Sequence, residues 1–366
     1  MEREPVAFFA RDLEPAMDEA RAALGAFVGA DPDDLALVPN ATAGINIVAR
    51  SLDLRPGDEV VALDHAYNAA TNALGHAASA AGARLVVVRL PFPGTTPDLA
   101  RDVILDAVTP RIRLVMIDHV TSATALALPV AEIVGALAAR GIEALVDGAH
   151  APGMLDLDIG AIGAAYYAGN CHKWMSAPKG SGFLHVRRDL QERARPLAIS
   201  HGANSPRPGR TRFRVEHDWT GTSDPSAYLS IPAAIEFGAS LLPGGWPALR
   251  ERDRILALQG RDLLCAALGI DAPAPDSMIG SMASVPLPLE PAGTPVAGPG
   301  QYDDPVHGGL QRHRIQVSIG PWPQRPGGEP WRRLVRFSAA PYVSLSDLEL
   351  LAGVLPDLIG ANARLG

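Results

Sequence analysis

Short apolar runs alternate with longer amphipathic segments over the first half of the chain. The runs predict strands at residues 34–39, 59–63, 85–90, 114–119, 144–147, 165–168 and 182–186. Between them, apolar residues at helical spacing predict helices at residues 43–52, 68–81, 98–108 and 130–140. Strands that alternate with helices are typical of parallel sheets joined by crossover helices. The pattern therefore predicts an α/β fold with a seven-stranded, mostly parallel sheet.

The pattern changes after Arg187, where proline- and glycine-rich pieces separate shorter elements. These pieces occupy residues 205–209, 273–275 and 286–300. A loop as long as the last one is typical of lids or connections between lobes. Helices are predicted at residues 226–242 and 248–268. We therefore predict a large domain over residues 15–245 and a smaller α+β domain formed by residues 1–14 and 246–366.

The composition narrows the class of protein. The formal net charge of −8 and the pI near 5.7 argue against a nucleic-acid partner, which needs clustered lysine and arginine. Cys171 and Cys265 are too few and too distant for a disulfide framework, and no metal site is predicted. The sequence has no signal-peptide pattern and no run of 18 apolar residues. We expect a cytoplasmic protein without a membrane partner.

Lysine is unusually rare in this chain. Of 32 basic residues only Lys173 and Lys179 are lysines, as if arginine had replaced lysine wherever a guanidinium suffices. A guanidinium cannot readily lose a proton and form an imine, so each remaining lysine is a candidate for amine chemistry. Chance survival of two lysines explains the count equally well. Composition alone leaves the choice open.

Polar residues follow several predicted strands, at the edge where ligands gather in open α/β sheets. Residues 40–44 could begin a helix that holds a phosphate, although an ordinary helix cap is the simpler interpretation. Asp147 ends the fifth strand, where it either caps a loop or pairs with a cation such as a protonated pyridine nitrogen. Lys173 follows the sixth strand. This order of Asp and Lys favours a cofactor site.

Seven motifs occur in the order expected of a known family: PNATAGIN, DHAYNA, DGAHAPG, GNCHKW, APKGSGFL, WTGTSDPSAY and VRFSAAPY. The chain thereby resembles the class V aminotransferase fold, on the branch of the cysteine desulfurases and, more closely, of isopenicillin N epimerase-like proteins. The resemblance covers nearly the whole chain. It implies the fold of type I transferases that depend on pyridoxal 5'-phosphate (PLP), with PLP as the cofactor.

The resemblance also assigns roles around the cofactor ring. It implies that Lys173 holds PLP as a Schiff base and that Asp147 pairs with the pyridine nitrogen. His150 should lie near the phenolic oxygen, and His65 should stack on the ring, with Tyr67 as the alternative stacking residue. The catalytic residues implied in this way are Lys173, Asp147 and His65.

Further roles concern the phosphate and the substrate. The resemblance implies that four residues of one subunit hold the phosphate, namely Ala41, Thr42, Asn170 and His172. Gly221 and Thr222 should reach the phosphate of the neighbouring subunit, which implies a homodimer. Arg336 matches the arginine that binds the substrate carboxylate, a role that suits its planar fork of donors.

The chain departs from its relatives at two places. Cysteine desulfurases need a nucleophilic cysteine shortly before the carboxylate-binding arginine, but no cysteine lies between His313 and Arg336. Sulfur transfer through an enzyme persulfide is therefore not expected, and residues 314–322 look like the matching stretch of isopenicillin N epimerase-like proteins. The sequence also starts later than in relatives, which carry a further Asn-His-Gly-Ser segment. Either the natural chain begins earlier than this sequence, or the loss of the segment alters substrate access, and the completeness of the small lobe depends on which of the two holds.

The implied reaction is chemistry at the α-carbon of an amino acid, through an external aldimine and a quinonoid intermediate, with Lys173 as the base. We expect epimerisation or racemisation of an amino acid or a peptide-like metabolite. Inversion needs an acid on the opposite face, for which His65, Tyr67 and His201 are candidates. A C–S β-lyase acting on an S-substituted cysteine is the first alternative, followed by an aminotransferase. A degenerate scaffold with this fold is the alternative from another class.

Overall fold

The computed structural model describes residues 2–290, 304–323 and 331–362. Its larger sheet has seven strands: β1 (Leu35–Val38), β2 (Glu59–Leu63), β3 (Arg84–Val88), β4 (Ile112–Asp118), β5 (Glu143–Gly148), β6 (Tyr166–Asn170) and β7 (Gly182–Val186). The strand order is β1-β7-β6-β5-β4-β2-β3, and only β7 runs antiparallel to its neighbours. The prediction of a seven-stranded, mostly parallel sheet is confirmed.

Alternate residues of each central strand enter different apolar clusters. Val115 and Ile117 of β4 belong to one cluster, whereas Leu114 and Met116 belong to the other. Because successive side chains of a strand point to opposite faces, the sheet needs cover on both sides, and helices provide it. None of the helices in the described part of the chain is long and apolar enough to cross a lipid bilayer.

The helices of the described residues, in chain order, are α1 (Pro5–Ala7), α2 (Leu13–Val28), α3 (Ala41–Ser51), α4 (Asn68–Ala80), α5 (Pro97–Asp106), α6 (Val130–Ala138), α7 (Ile159–Ile162), α8 (Arg212–Asp218), α9 (Ser226–Leu229), α10 (Ile231–Ser240), α11 (Gly245–Leu268), α12 (Pro305–Arg312) and α13 (Leu345–Asn362). A π-helical turn, Phe8–Asp12, joins α1 to α2. The four helices predicted between the first strands correspond to α3, α4, α5 and α6.

A second sheet follows in the C-terminal part of the chain. It consists of β8 (Met282–Glu290), β9 (Ser318–Trp322) and β10 (Trp331–Ser338), paired antiparallel in the order β8-β10-β9. Residues of this sheet and of α11–α13 form an apolar cluster of their own, which includes Leu264, Val285 and Leu355. The domain limits at residues 14/15 and 245/246 stay a prediction.

Two predicted elements were wrong in detail. The helix predicted at residues 226–242 is two helices, α9 and α10, because Pro232 has no N–H to continue the bonding of the first. The start of the loop predicted at residues 286–300 belongs to β8. Pro286 is tolerated there because β8 is an edge strand of its sheet. The rest of that predicted loop, residues 291–300, lies outside the described residues.

Candidate active site

Two aspartates lie side by side at the carboxyl ends of neighbouring parallel strands. The register pairs Asp118 of β4 with Asp147 of β5, and their side chains are only 2% and 3% exposed. The backbone N–H of Ala149 donates to Asp147 Oδ1 over 3.0 Å. Burial raises the pKa of Asp147, and burial together with the charge of Asp147 raises the pKa of Asp118 well above its ordinary range. The pair therefore favours a cationic partner or a retained proton.

Lys173 follows β6 and carries its amine to the same edge of the sheet. Its Nζ lies 3.0 Å from Nε2 of His150. Burial lowers the pKa of Lys173 to about 8, with Asp147 and Asp118 opposing that shift and the charge of Arg336 adding to it. A substantial fraction of the amine is therefore neutral near physiological pH. A neutral amine is the form that can act as a nucleophile or accept a proton.

The tautomer of His150 follows from its two neighbours. Trp174 Nε1, which can only donate, lies 3.4 Å from His150 Nδ1. Burial and the charges of Lys173 and Arg336 lower the pKa of His150 well below its ordinary range, so the ring is neutral. The ring proton then sits on Nε2, which donates to Lys173 Nζ. Because only an uncharged amine can accept this bond, the contact agrees with the lowered pKa of Lys173.

The N-terminus of α3 lies beside the loop that follows β6. Asn170 Oδ1 accepts the backbone N–H of Ala41 over 2.8 Å, and Asn40 Oδ1 accepts that of Ala43 over 2.9 Å. Three of the residues predicted to hold a phosphate are thus brought together, since Thr42 is the next residue of the same helical turn. A helix start can bind an anion through its dipole and its uncapped N–H groups, and here Asn170 and Asn40 already cap the N–H groups of Ala41 and Ala43.

His172 is fixed by a contact with the backbone. Its Nδ1 lies 2.7 Å from the carbonyl oxygen of Ser181, so Nδ1 carries a proton and donates it. Burial lowers the pKa of His172, and the neutral ring leaves Nε2 as an acceptor. The charge of a phosphate bound beside the ring would favour the protonated form, in which Nε2 also donates.

Arg336 reaches the site from β10 of the smaller sheet. Its guanidinium donates to the backbone carbonyl of Ser122, and Nη1 lies 3.3 Å from Ser122 Oγ. Burial lowers the pKa of Arg336 while Tyr67 raises it, and the charge of Arg336 lowers the pKa of Lys173. Arg336 is thus close enough to Tyr67 and to Lys173 for their charges to influence one another. Ser122, which holds the arginine, was missed by the sequence prediction.

His65 and Tyr67, the two predicted stacking residues, lie in different environments. His65 has no exposed surface, and its Nδ1 and Nε2 lie 2.7 Å and 2.8 Å from Thr124 Oγ1 and the Leu90 carbonyl. Burial lowers its pKa to about 4. Tyr67, in contrast, is 49% exposed. The structure therefore leaves the ring of Tyr67 accessible to a ligand and that of His65 inaccessible.

Gly221 and Thr222 lie apart from the lysine. Thr222 lines a cavity of about 720 Å³ that also includes His201 and N-terminal residues such as Phe9. Gly221, at φ 127°, lines a smaller cavity of about 210 Å³ beside the start of α3. Lys173 belongs to the lining of neither cavity. Within the described chain, Thr222 and His201 are not brought together with the residues around Lys173.

The residues at the strand ends suit PLP by their chemistry. A near-neutral amine can bond to an aldehyde, and a buried carboxyl pair can hold a cationic ring nitrogen. Oδ2 of Asp118 is buried without a hydrogen-bond partner in the described part of the chain, which leaves the pair incompletely satisfied. The start of α3 suits a phosphate. The chain thus offers a partner for the aldehyde, the ring nitrogen and the phosphate of PLP.

The family profile "Aminotransferase class-V" matches residues 6–240. The chain belongs to this family and is a PLP-dependent enzyme. It is 35% identical to isopenicillin N epimerase of Streptomyces clavuligerus, over 98% of this chain and 88% of that protein. It is 33% identical to a putative L-cysteine desulfhydrase 2 of Oryza sativa subsp. japonica, over 83% of this chain and 64% of that protein.

A solved structure supports the fold independently of sequence. The cysteine desulfurase CsdA of Escherichia coli aligns with a TM-score of 0.76 at 21% identity, covering 96% of this chain and 86% of that one. The predicted family, the type I fold and the PLP cofactor are confirmed. The roles assigned to individual site residues stay predictions.

Proposed function

We propose that this enzyme epimerises an amino acid or a peptide-like metabolite at its α-carbon. The observation that carries the proposal is the 35% identity to an isopenicillin N epimerase over almost the entire chain. The residues at the strand ends support it chemically. Lys173 offers a near-neutral amine and Arg336 a guanidinium beside it, so a proton acceptor and a carboxylate-binding group share one site.

Lys173 would hold PLP covalently, and Asp147 would hold its ring nitrogen. His150 would face the phenolic oxygen, and the phosphate would rest on Ala41, Thr42, Asn170 and His172. When bound, PLP supplies an electron sink that stabilises negative charge at the α-carbon. The buried Asp147 would keep the ring nitrogen cationic, because a carboxylate in a low-dielectric site favours a positive neighbour.

Three side chains would bind the substrate carboxylate and move the α-proton. Arg336, held by Ser122, would bind the substrate carboxylate through its planar fork. Lys173 would accept the α-proton. Of the three candidate acids Tyr67 is the one with an exposed side chain near Arg336, so its hydroxyl would return a proton from the face opposite Lys173. His65 is enclosed, and His201 lines a different cavity.

We also propose a cytoplasmic homodimer in which Thr222 completes the phosphate site of the neighbouring subunit. The exposure of Thr222, away from Lys173 of its own chain, supports this assignment. Two buried free cysteines agree with a reducing compartment.

The proposal is tested by incubating the purified enzyme with single amino acids and short peptides in deuterated water. Epimerisation gives α-deuterated product of inverted configuration, measured by chiral chromatography with mass spectrometry. Lys173→Ala should abolish deuterium incorporation. Tyr67→Phe should keep incorporation with retained configuration while losing inversion, because only the second proton donor is removed. Incorporation without inversion in the wild type would exclude an epimerase.

A C–S β-lyase is the second candidate. The 33% identity to a putative L-cysteine desulfhydrase over 83% of the chain favours it. The same incubation with L-cysteine or L-cystine distinguishes the two reactions, because β-elimination releases pyruvate and a sulfur product. Stoichiometric pyruvate with no inverted amino acid would establish the lyase and refute the epimerase.

A further inference from the structure

Two buried threonines follow β4, and the proposed reaction uses neither of them. Thr121 has no exposed surface and Thr124 is 1% exposed. Their Oγ1 atoms lie 2.7 Å apart, and Thr124 Oγ1 lies 2.7 Å from Nδ1 of His65. The backbone N–H of Leu126 donates to Thr121 Oγ1 over 2.8 Å. At the other end, Nε2 of His65 lies 2.8 Å from the Leu90 carbonyl oxygen. An unbroken chain of hydrogen bonds therefore joins the loop after β4 to residues that follow β2 and β3.

The direction of each bond in this chain follows from its ends. A carbonyl oxygen only accepts, so Nε2 of His65 donates to Leu90. Burial lowers the pKa of His65 to about 4, so the ring is neutral and its Nδ1 accepts. Thr124 therefore donates its one hydroxyl proton to His65, and Thr121 donates to Thr124. Each hydroxyl both donates and accepts, so the loss of either one leaves buried polar groups unpaired.

The smaller sheet contacts the two residues between these threonines. Arg336 of β10 donates to the backbone carbonyl of Ser122, and its Nη1 lies 3.3 Å from Ser122 Oγ. Ser284 of β8 donates its hydroxyl proton to the carbonyl oxygen of Ala123 over 2.9 Å. The outer residues of the loop are thus bonded to the large sheet's edge, and the inner residues receive two strands of the smaller sheet.

The backbone just after the second threonine is in an unfavourable conformation. Ala125 has a φ of 59°, in the left-handed region that residues other than glycine rarely adopt. Its backbone N–H donates to the Thr121 carbonyl over 3.1 Å. Such a conformation persists where the surrounding contacts over-determine it. The chain supplies these contacts on either side of Ala125, at Thr124 and at Leu126.

We infer that Thr121 and Thr124 are positioning residues: their hydrogen-bond chain to His65 fixes the loop that holds Arg336, and thereby the place of the substrate carboxylate. The inference rests on the proposed function in taking Arg336 as the residue that binds this carboxylate. It gives His65 the role of an anchor for the loop rather than that of a stacking residue. It holds for an epimerase and a lyase alike, because an amino-acid substrate of either carries the carboxylate.

The experiment uses two reagents that form an oxime with enzyme-bound PLP, of which only one carries a carboxylate. Aminooxyacetate has this group and methoxyamine lacks it, so the ratio of their rate constants measures what the carboxylate-binding group contributes. In Thr124→Val, which has nearly the size of threonine but no hydroxyl, this ratio should fall about tenfold, towards that of Arg336→Leu. Thr124→Ser keeps the hydroxyl and should keep the wild-type ratio. Loss of the cofactor's visible absorbance measures both rates.

Matched variants separate this effect from general damage. Thr109→Val removes a hydroxyl that donates to Glu59 over 3.0 Å at the start of β2, the opposite edge of the sheet, and should leave the ratio unchanged. The methoxyamine rate should match wild type in every variant, because that reagent makes no use of Arg336. Far-UV circular dichroism confirms folding. Thr121→Val breaks the chain one hydroxyl earlier and replaces Thr124→Val if that variant does not fold.

Hydrogen exchange of the apoenzyme tests the loop without any reaction. The backbone amides of residues 120–127 should exchange faster in Thr124→Val than in wild type or Thr124→Ser, measured by mass spectrometry of peptides. A wild-type ratio or wild-type exchange in Thr124→Val overturns the inference. A wild-type ratio in Arg336→Leu would instead refute the carboxylate-binding role in the proposed function, while the exchange rates still decide whether the chain anchors the loop.

Discussion

At the scale of single residues, the environment of Lys173 makes a direct prediction about reactivity. Burial lowers its pKa to about 8, so the neutral, reactive fraction of the amine rises with pH and reaches one half near pH 8. Acetylation of the apoenzyme with acetic anhydride over a series of pH values should therefore show half-maximal labelling of Lys173 near pH 8. Mass spectrometry of the peptide that contains Lys173 measures the labelling.

The rarity of lysine supplies the controls. Lys179 is the only other lysine in the chain, and its peptide corrects for the changing concentration of active reagent. Lys173→Arg should remove the signal altogether. Half-maximal labelling near the ordinary lysine value of 10.5 would show that Lys173 is solvated like a surface lysine.

The chemically distinctive residues were predictable from sequence, and their neighbours were not. Asp147 lies at the end of a buried strand and Lys173 just after the next one. Ligands gather at the carboxyl ends of strands in open α/β sheets, so this position made both residues candidates. Asp118 also lies near the end of a predicted strand but was missed, because nothing in the sequence shows that β4 and β5 are adjacent with Asp118 and Asp147 in register. The choice between His65 and Tyr67 was likewise open. It depends on Thr124 and Leu90, which enclose His65 from distant parts of the chain.

At the scale of secondary-structure elements, Gly148 fixes how closely β5 approaches the side chain of Tyr167 on β6. A Cβ at residue 148 would overlap the Tyr167 ring, whose hydroxyl lies 2.8 Å from His119 Nδ1. Gly148→Ala should therefore lower the free energy of unfolding by about 1–3 kcal/mol, the usual cost of overpacking a core. Urea denaturation followed by circular dichroism measures the change.

Gly135 provides the matched control for this prediction. It is exposed on α6 and has open space around the position of a Cβ. Gly135→Ala should raise the free energy of unfolding by about 0.5–1 kcal/mol, because alanine loses less backbone entropy in a helix. Equal effects of the two substitutions would refute the steric role of Gly148.

The elements themselves were largely predictable because the central strands of the large sheet are buried on both faces. Continuous apolar runs then mark each strand, and the amphipathic segments between them mark the crossover helices. The prediction of a loop from residue 286 was wrong because proline was taken to mark the end of a strand. Pro286 in β8 lies at a sheet edge, where the missing N–H is tolerated, so proline did not end the strand.

At the scale of the whole molecule, long-range ion pairs set the position of the segment that carries Thr222. Asp218, just before this segment, pairs with Arg21 of α2, whose side chain has no exposed surface. The two residues are 197 positions apart. Sequence alone gives no reason to pair these charges among 32 basic and 40 acidic residues. The sequence alone therefore cannot show to which active site Thr222 belongs, because its position depends on tertiary and quaternary contacts.

The proposed sharing of sites between subunits predicts complementation. In a homodimer, Lys173→Ala removes the amine of one subunit's site, and Thr222→Asp places a negative charge against the phosphate of the other subunit's site. Each variant alone should be inactive in α-deuterium exchange. Co-refolding equal amounts should restore about one quarter of wild-type activity, because half of the dimers are hybrids with one intact site of two. No recovery in hybrids verified by native mass spectrometry would assign Thr222 to the site of its own subunit.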